Sequence, residues 1–311
     1  MLHFHYVDQI ANCSKKGVKH KSIFCMTDLK VSFLGLGVMG FPMAGHLANA
    51  GYNITVYNRT AEKSQKWANA YKGNVAQTPE QAAEDADIVF MCVGDDNDVR
   101  QIGNKALSVM RTGSTLVDHT TASADVAREL YDACQAKQVG FLDAPVSGGQ
   151  AGAENGQLTI MVGGDDAVYD TVKPIMETYA RHSQLLGKVG SGQLAKMMNQ
   201  ICIAGIVQGL SEALHFGQRA GLDCNAVIDV ISKGAAQSWQ MENRATTMLD
   251  NSFDFGFAVD WMRKDLGIAL DEARKNGSTL ALTALVDQYY ADVQKLGGGR
   301  WDTSSLLTRL K

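Results

Sequence analysis

The stretch that decides the fold is Lys30–Gly40, which reads KVSFLGLGVMG. It joins a short apolar run to three glycines, Gly35, Gly37 and Gly40, in the spacing G-x-G-x-x-G. A helix-like run follows, and YNITVYNRT (Tyr52–Thr60) then has the composition of a second strand. In a βαβ unit of about 30 residues, this spacing is typical of a dinucleotide-binding turn. The glycines allow a tight turn, close approach of a pyrophosphate and close helix–strand packing, while the helix N-terminus offers free N–H groups to the phosphates.

The end of the predicted second strand indicates which cofactor binds. An NAD site places Asp or Glu about 20 residues after the glycines, where it binds the ribose 2′-hydroxyl. This chain has Asn58, Arg59 and Thr60 instead. Because a guanidinium binds a 2′-phosphate and a carboxylate repels it, we predict NADP, with NAD as the alternative if Arg59 is merely exposed. The predicted cofactor-binding residues of this first half are Gly35, Gly37, Val38, Met39, Gly40, Asn58, Arg59, Thr60 and Val93.

Further strand patterns follow at DADIVFMCVGDD, STLVDHTTAS and VGFLDAPVSGG. Since ligands of open parallel sheets sit beyond the carboxyl ends of the strands, we expect residues 94–96, 119–122 and 144–149 to line one crevice. Cys92 is interpreted as a small buried hydrophobe rather than a nucleophile. His119 is interpreted as a loop histidine near the cofactor rather than a general base, because no carboxylate partner is evident.

The second half of the chain has helical rather than strand patterns. Apolar residues recur at helical spacing from Leu194 to Ala220, which predicts a helix of about 27 residues and ~40 Å. The predicted fold class is α/β, a Rossmann-type doubly wound sheet followed by an all-α second domain joined by a long helix. We expect residues 1–26 to be a disordered extension, 27–190 the NAD(P)-binding domain, and 191–311 an α-helical substrate and dimerisation domain.

Composition narrows the range of partners. The 311 residues carry a net charge of −4, which gives no electrostatic case for nucleic acid or an anionic membrane. No apolar run is long enough for a membrane helix, the histidines lack metal-type spacing, and none of the six cysteines forms CxxC. We therefore expect a reduced, cytoplasmic protein without metal. The long helix and apolar second domain indicate a homo-oligomer (dimer or tetramer).

Four motifs in order make the chain resemble the β-hydroxyacid dehydrogenases. They are FLGLGVMGFPMAGHLANAGY, DAPVSGGQAGAENGQLTIMVGG, GSGQLAKMMNQ and WMRKDLGIALDEA. The resemblance covers residues 29 to about 308. The family includes 3-hydroxyisobutyrate dehydrogenase, tartronate semialdehyde reductase and the glyoxylate/succinic semialdehyde reductases. In having Arg59, the chain resembles the NADP-preferring members.

The resemblance implies roles for particular residues. Lys196 would be the catalytic lysine and Asn199 its neighbouring amide. Ser147, Gly148 and Gly149 would bind the substrate carboxylate, with Gln200 close by. Thr121 would lie next to the nicotinamide ribose, and Lys264 would reach the cofactor from the second domain, although Arg263 is an adjacent competitor.

The chemistry of these residue types agrees with those roles. A glycine turn presents backbone N–H groups to an anion, and a lysine can give or take the proton at the reacting oxygen. Partial burial would lower the pKa of that lysine toward neutrality. The sequence leaves open whether Gln200 reaches the substrate or orients Lys196, and whether Trp239 closes the site or packs between domains.

The predicted function is NADPH-dependent reduction of a small aldehyde acid, such as glyoxylate or succinic semialdehyde, to the hydroxyacid, with lysine as general acid/base. The alternative is an NAD-dependent 3-hydroxyisobutyrate dehydrogenase. A third hypothesis, an NADP-binding interaction module without turnover, is disfavoured by the presence of Lys196.

Overall fold

The computed structural model describes residues 29–310. The predicted extension, residues 1–26, lies outside the described residues. Within the described range, nine strands come first along the chain, interleaved with helices, and helices alone follow. No helix of residues 29–310 is long and apolar enough to cross a membrane, and no group of three or more His, Cys, Asp or Glu there could hold a metal ion.

One sheet forms the first half of the molecule. Its strands are β1 Lys30–Leu34, β2 Asn53–Tyr57, β3 Asn74–Val75, β4 Ile88–Met91, β5 Thr115–Asp118, β6 Gly140–Asp143, β7 Val146–Ser147, β8 Leu158–Gly164 and β9 Ala180–Leu185. The spatial order is β3-β2-β1-β4-β5-β6-β8-β7, with β9 paired to β8. The strands from β3 to β6 are parallel, and β8 runs antiparallel to β6. This is the strand order of a dinucleotide-binding fold, which places the ligand crevice between β1 and β4, where the order reverses.

Helices cover both faces of this sheet. They are α1 Gly40–Asn49, α2 Ala61–Ala70, α3 Pro79–Ala83, α4 Asp96–Val109, α5 Ala124–Ala136, α6 Gly149–Glu154 and α7 Asp166–Met176. Alternate residues of each strand enter opposite cores: Phe33 and Phe90 pack on one side, Leu34 and Met91 on the other. Burial on both faces explains why the central strands are continuously apolar rather than alternating.

The long helix α8 spans Ser191–Arg219, 29 residues or ~44 Å at 1.5 Å per residue. It begins three residues before the predicted start at Leu194 and ends one residue before the predicted end. Gly190 precedes it in the left-handed region, with φ +90°, a conformation that favours glycine. The first turn of α8 lies against the sheet, and the helices of the second half of the molecule pack around the rest of α8.

Four helices and two 3₁₀ segments pack around the distal part of α8. They are α9 Cys224–Ile231, α10 Trp239–Leu249, α11 Val259–Asn276, α12 Ala281–Lys295, Gly298–Arg300 and Thr303–Leu310. Their cores join Ala204 and Val207 of α8 to Leu266 and Tyr290 of α11 and α12. The predicted fold class, a Rossmann-type sheet followed by helices, is confirmed.

Candidate active site

The glycine loop is built as a dinucleotide cradle. Gly35 has φ +101°, and a Cβ there would lie 2.2 Å from the backbone oxygen of Cys92. A Cβ on Gly40 would lie 1.9 Å from the backbone oxygen of Gly35, so both glycines are required by packing. Gly37 differs, because a Cβ there would meet no atom of residues 29–310 within 4 Å. The open space above Gly37, in front of the N-terminus of α1, fits a bound pyrophosphate.

The end of β2 holds this loop in place. Asn58 accepts a hydrogen bond from the Leu36 N–H at 2.8 Å through Oδ1, and its Nδ2 donates to the Thr60 backbone oxygen at 3.0 Å. Its amide is therefore engaged by the protein. The Arg59 side chain is 75% exposed and pairs with Asp98 of α4, Nη1 to Oδ1 2.9 Å. Such an exposed ion pair is weak, so the guanidinium is free to exchange Asp98 for a phosphate.

The loops after β4 and β5 contact each other directly at the carboxyl ends of these neighbouring strands. The Val93 N–H donates to Oγ1 of Thr120 at 3.0 Å. Lys264 of α11 reaches both loops, donating from Nζ to the backbone oxygens of Gly94 at 3.1 Å and Thr121 at 2.5 Å. The second half of the chain thus contributes a cation to the carboxyl ends of the strands.

Arg263, the sequence neighbour of Lys264, points elsewhere. Its guanidinium pairs with Asp287 of α12, Nε to Oδ1 3.0 Å, and donates to Gln294 at 2.6 Å. Consecutive residues of a helix are about 100° apart around its axis, so only one of the two can face the sheet. Packing of α12 against α11 decides that Lys264 is that residue.

Lys196 lies in the second turn of α8 and is only 7% exposed. Within the part of the chain that the structure describes, its Nζ has no hydrogen-bond partner. Burial lowers the pKa of Lys196 to about 8; the charge of Asp265 opposes this decrease and that of Lys264 adds to it. An amine with this pKa holds both protonation states in useful amounts near neutral pH, as proton transfer in either direction requires.

A row of hydrogen bonds runs beside Lys196. Ser147 Oγ donates to Asn199 Oδ1 at 3.4 Å, and Asn199 Nδ2 donates to Gln200 Oε1 at 2.8 Å. Gln200 Nε2 then donates to Asp265 Oδ2 at 2.6 Å. The row brings the predicted substrate loop against the helix that carries the lysine. Gln200 is buried and oriented toward Asn199 and Asp265, so its amide orients Asn199 rather than Lys196.

Asp265 links this row to the cofactor side. Its Oδ1 lies 3.2 Å from Lys264 Nζ, and the carboxyl group is almost completely buried. Burial raises the pKa of Asp265, while Lys264 and Lys196 lower it. Sequence reasoning missed this residue, although its position directly after Lys264 was a signal that the two share a site.

The predicted substrate loop, Ser147–Gly149, contains two glycines with positive φ. Gly148 and Gly149 have φ of +134° and +61°, respectively, and both are exposed. A Cβ on Gly149 would meet no atom within 4 Å, so no packing constraint demands glycine there. In such a glycine turn, successive backbone N–H groups can point to one side and bind an anion.

His119 lies in the loop directly after β5, but its side chain is buried in the core rather than exposed in the crevice. It is buried, with Nδ1 2.6 Å from the Ala144 oxygen and Nε2 3.0 Å from the Tyr179 hydroxyl, and its ring stacks on Phe90. Burial lowers its pKa to about 4. The side chain turns back into the core under the sheet, so His119 takes no part in proton transfer in the crevice.

Two further predictions concern side chains near these loops. Burial raises the pKa of the Cys92 thiol to about 12, which is the behaviour of an inert thiol. The Trp239 ring is covered by the Arg244 guanidinium at 4.8 Å and lies in α10.

Sequence reasoning also missed Asp143 and Gln193, whose buried side chains connect α8 to the sheet. Their signal was position: Asp143 ends a strand, and Gln193 lies one turn before Lys196.

Comparison with known proteins identifies relatives of both halves. The model of a family described as the NAD binding domain of 6-phosphogluconate dehydrogenase matches residues 30–190. A second, described as the NAD-binding of NADP-dependent 3-hydroxyisobutyrate dehydrogenase, matches residues 190–310. The two matches together span nearly all the described residues.

Individual relatives cover almost the whole chain. An oxidoreductase of Shewanella frigidimarina is 63% identical over 91% of this chain and 98% of its own. The 2-hydroxy-3-oxopropionate reductase of Escherichia coli is 35% identical over 91% of this chain and 97% of its own. Among solved structures, 3-hydroxyisobutyrate dehydrogenase of Mycobacterium tuberculosis with L-serine superposes with a TM-score of 0.84, at 29% identity, over 91% of this chain and 99% of its own.

Proposed function

This chain belongs to the β-hydroxyacid dehydrogenase family of NAD(P)-dependent oxidoreductases, and on that premise we propose that it reduces small aldehyde acids with NADPH, using Lys196 as general acid. The substrates are aldehydes that carry a carboxylate, such as glyoxylate and succinic semialdehyde. Of the described residues, 29–190 belong to the proposed cofactor domain and 191–310 to the proposed helical domain. The reverse reaction oxidises the corresponding hydroxyacid, with Lys196 as general base.

The observation that carries this proposal is the state of Lys196. The Lys196 side chain is largely buried, and its Nζ has no hydrogen-bond partner among the described residues. Such an arrangement is costly, and a protein keeps one where a ligand will use it. The pKa of about 8 keeps the side chain mostly protonated at pH 7 yet easily deprotonated. The protonated form polarises the substrate carbonyl and donates its proton to the oxygen as negative charge develops there.

The neighbouring residues bind and orient the substrate. The backbone N–H groups of Ser147, Gly148 and Gly149, with the Ser147 hydroxyl, bind its carboxylate. Asn199 is neutral and has both donor and acceptor atoms, so it contacts the reacting oxygen without competing for the proton. Gln200 keeps the amide of Asn199 in one orientation through their 2.8 Å hydrogen bond.

Gly35, Gly37 and Gly40 would hold the cofactor, which would supply the hydride when bound. Arg59 would bind the 2′-phosphate of NADPH in exchange for its partner Asp98. Lys264 holds the loops after β4 and β5 together, and Thr121 would contact the nicotinamide ribose.

The experiment is a panel of aldehyde acids assayed for kcat/KM with NADPH and with NADH. The panel includes glyoxylate, succinic semialdehyde, tartronate semialdehyde and methylmalonate semialdehyde. We expect higher kcat/KM with NADPH for at least one of them. In Lys196→Ala we expect NADPH binding, measured by fluorescence, to persist while reduction is nearly abolished. Normal turnover by that variant would contradict the assignment.

A second candidate is an NAD-dependent 3-hydroxyisobutyrate dehydrogenase. It is favoured by the position of Asp98 beside Arg59, because this carboxylate would repel a 2′-phosphate bound to the guanidinium. The same panel distinguishes the two candidates, since this one predicts preference for NADH and oxidation of 3-hydroxyisobutyrate. A module without turnover would bind NADPH and reduce none of the aldehyde acids.

A further inference from the structure

Gln193 connects the start of α8 to the loop that follows β5. Its side chain is 0% exposed. Oε1 accepts a hydrogen bond from the Ala122 N–H at 3.0 Å, and Nε2 donates to the Thr120 backbone oxygen at 2.7 Å. The two contacts lie on either side of Thr121. One amide therefore holds the backbone of the residues before and after the proposed contact to the nicotinamide ribose.

The backbone of Gln193 is anchored to the sheet as well. Its N–H donates to Asp143 Oδ2 at 2.9 Å, and the Gly190 N–H donates to Oδ1 of the same carboxylate at 2.7 Å. Helix α8 has no side-chain cap of its own, so Asp143 supplies acceptors for its first N–H groups. A Cβ on Gly192 would lie 2.5 Å from the backbone oxygens of Asp143 and Met161, which shows how closely this turn lies on the sheet.

Thr120, at the loop end of this connection, also contacts the loop after β4. The Thr120 N–H donates to Asp118 Oδ1 at 2.9 Å, and the Thr120 hydroxyl oxygen accepts from the Val93 N–H at 3.0 Å. A continuous series of hydrogen bonds therefore runs from the loop after β4, through Thr120 and Gln193, to α8. Lys196 follows Gln193 by three residues, which puts the two on the same side of the helix.

We propose that Gln193 is a positioning residue of the reaction, which holds the turn carrying Lys196 at a fixed separation from the Thr120–Ala122 segment. The inference rests on the proposed function. Hydride and proton reach the two ends of one carbonyl, so the cofactor and the lysine must be placed relative to each other. A displacement of about 1 Å in such a site costs on the order of 100-fold in rate.

Single-turnover oxidation of NADPH in a stopped-flow instrument tests this role. The rate constant reports alignment, whereas the amplitude reports the fraction of correctly folded protein. In Gln193→Leu, which keeps approximate size and removes both side-chain hydrogen bonds, we expect the rate constant to fall about 10- to 100-fold with the amplitude retained. Gln193→Glu keeps the acceptor for Ala122 and loses the donor to Thr120, and we expect it to be slowed as well.

The chain provides a matched control in Gln208. It is also buried on α8, 4% exposed, but its amide donates to Glu212 of the same helix at 2.6 Å. Gln208→Leu should keep the wild-type rate constant, whatever its amplitude. A wild-type rate constant in Gln193→Leu and Gln193→Glu, or equal slowing in Gln208→Leu, would overturn the positioning role.

Amide hydrogen exchange in the cofactor-free protein gives a readout that does not depend on activity. The Ala122 N–H donates to Gln193, so we expect its exchange in Gln193→Leu to be at least about tenfold faster, while amides of β1 keep their protection. Unchanged protection at Ala122 would overturn the connection itself. If the wild-type protein reduced no aldehyde acid, the proposed function would fail, yet the exchange result would still decide whether Gln193 holds the loop.

Discussion

The pH dependence of the reaction follows from the surroundings of Lys196. Burial lowers its pKa from 10.5 to about 8. If Lys196 is the proposed general acid, its protonated form is the active one in reduction, so kcat/KM should be constant below about pH 8 and fall about tenfold per pH unit above it. In the direction of oxidation the neutral form acts, and kcat/KM should rise to a plateau above the same pH.

The decrease in the pKa of Lys196 determines how much neutral amine is present near neutral pH. With a pKa of about 8, roughly 9% of Lys196 is neutral at pH 7, against roughly 0.03% for an unperturbed lysine. Burial thus increases the available base about 300-fold. His119 is buried and neutral, so no further change of kcat/KM should appear between pH 5.5 and pH 7 on its account.

The assay follows absorbance at 340 nm at constant ionic strength, in both directions, for the wild type and for Lys196→Arg. Arginine keeps the positive charge but does not lose its proton in this range. We expect rates about 10²- to 10⁴-fold lower in the variant, without a pH-dependent limb. A limb near pH 8 that persisted in Lys196→Arg would refute the assignment, as would reductive kcat/KM that stayed constant up to pH 10.

Three further predictions concern stability and cofactor choice. Folding lowers the pKa of Lys196 below its value in the unfolded chain, so the charged side chain destabilises the folded protein fully below about pH 8. This cost disappears as the pH rises to 10.5. Lys196→Met should therefore raise the free energy of unfolding, measured with urea, by on the order of 2–3 kcal/mol at pH 7 and by less at pH 10. Arg59→Ala should lower the ratio of kcat/KM for NADPH over NADH by about 10- to 100-fold, whereas Asp98→Asn should raise it a few-fold by releasing the guanidinium; an unchanged ratio in Arg59→Ala would contradict NADP selection. Gly37→Ala should change Tm little but weaken NADPH binding about tenfold or more, while Gly40→Ala should lower Tm markedly, because only the second methyl group would collide with the protein.

The residues on one helix could be related from the sequence alone. Lys196, Asn199 and Gln200 are three and four positions apart, so helical geometry places them together before any tertiary contact is known. The glycine spacing of Lys30–Gly40 and the central strands were equally readable, because the local backbone and the period of burial are encoded in neighbouring residues. The fold class follows from these patterns.

Contacts between distant segments could not be predicted from the sequence. Lys264 and Arg263 are adjacent and both cationic, and only the packing of α12 turns Arg263 toward Asp287 and leaves Lys264 beside the strand ends. His119 follows a strand and was expected near the crevice, but the partners that hold it in the core come from Ala144 and Tyr179. Long-range hydrogen bonds of this kind have no local pattern.

The sequence by itself determined a dinucleotide-binding sheet, a long helix after it and a lysine with amide neighbours on that helix, since each depends on periodicity or short-range spacing. Only the tertiary structure decided how that lysine is buried and that Asp265, Gln200, Gln193 and Asp143 hold the parts of the site together. The physical reason is that the low pKa of Lys196 and the orientation of its neighbours arise from burial and from charges on other elements, which exist only after α8 and α11 have packed against the sheet.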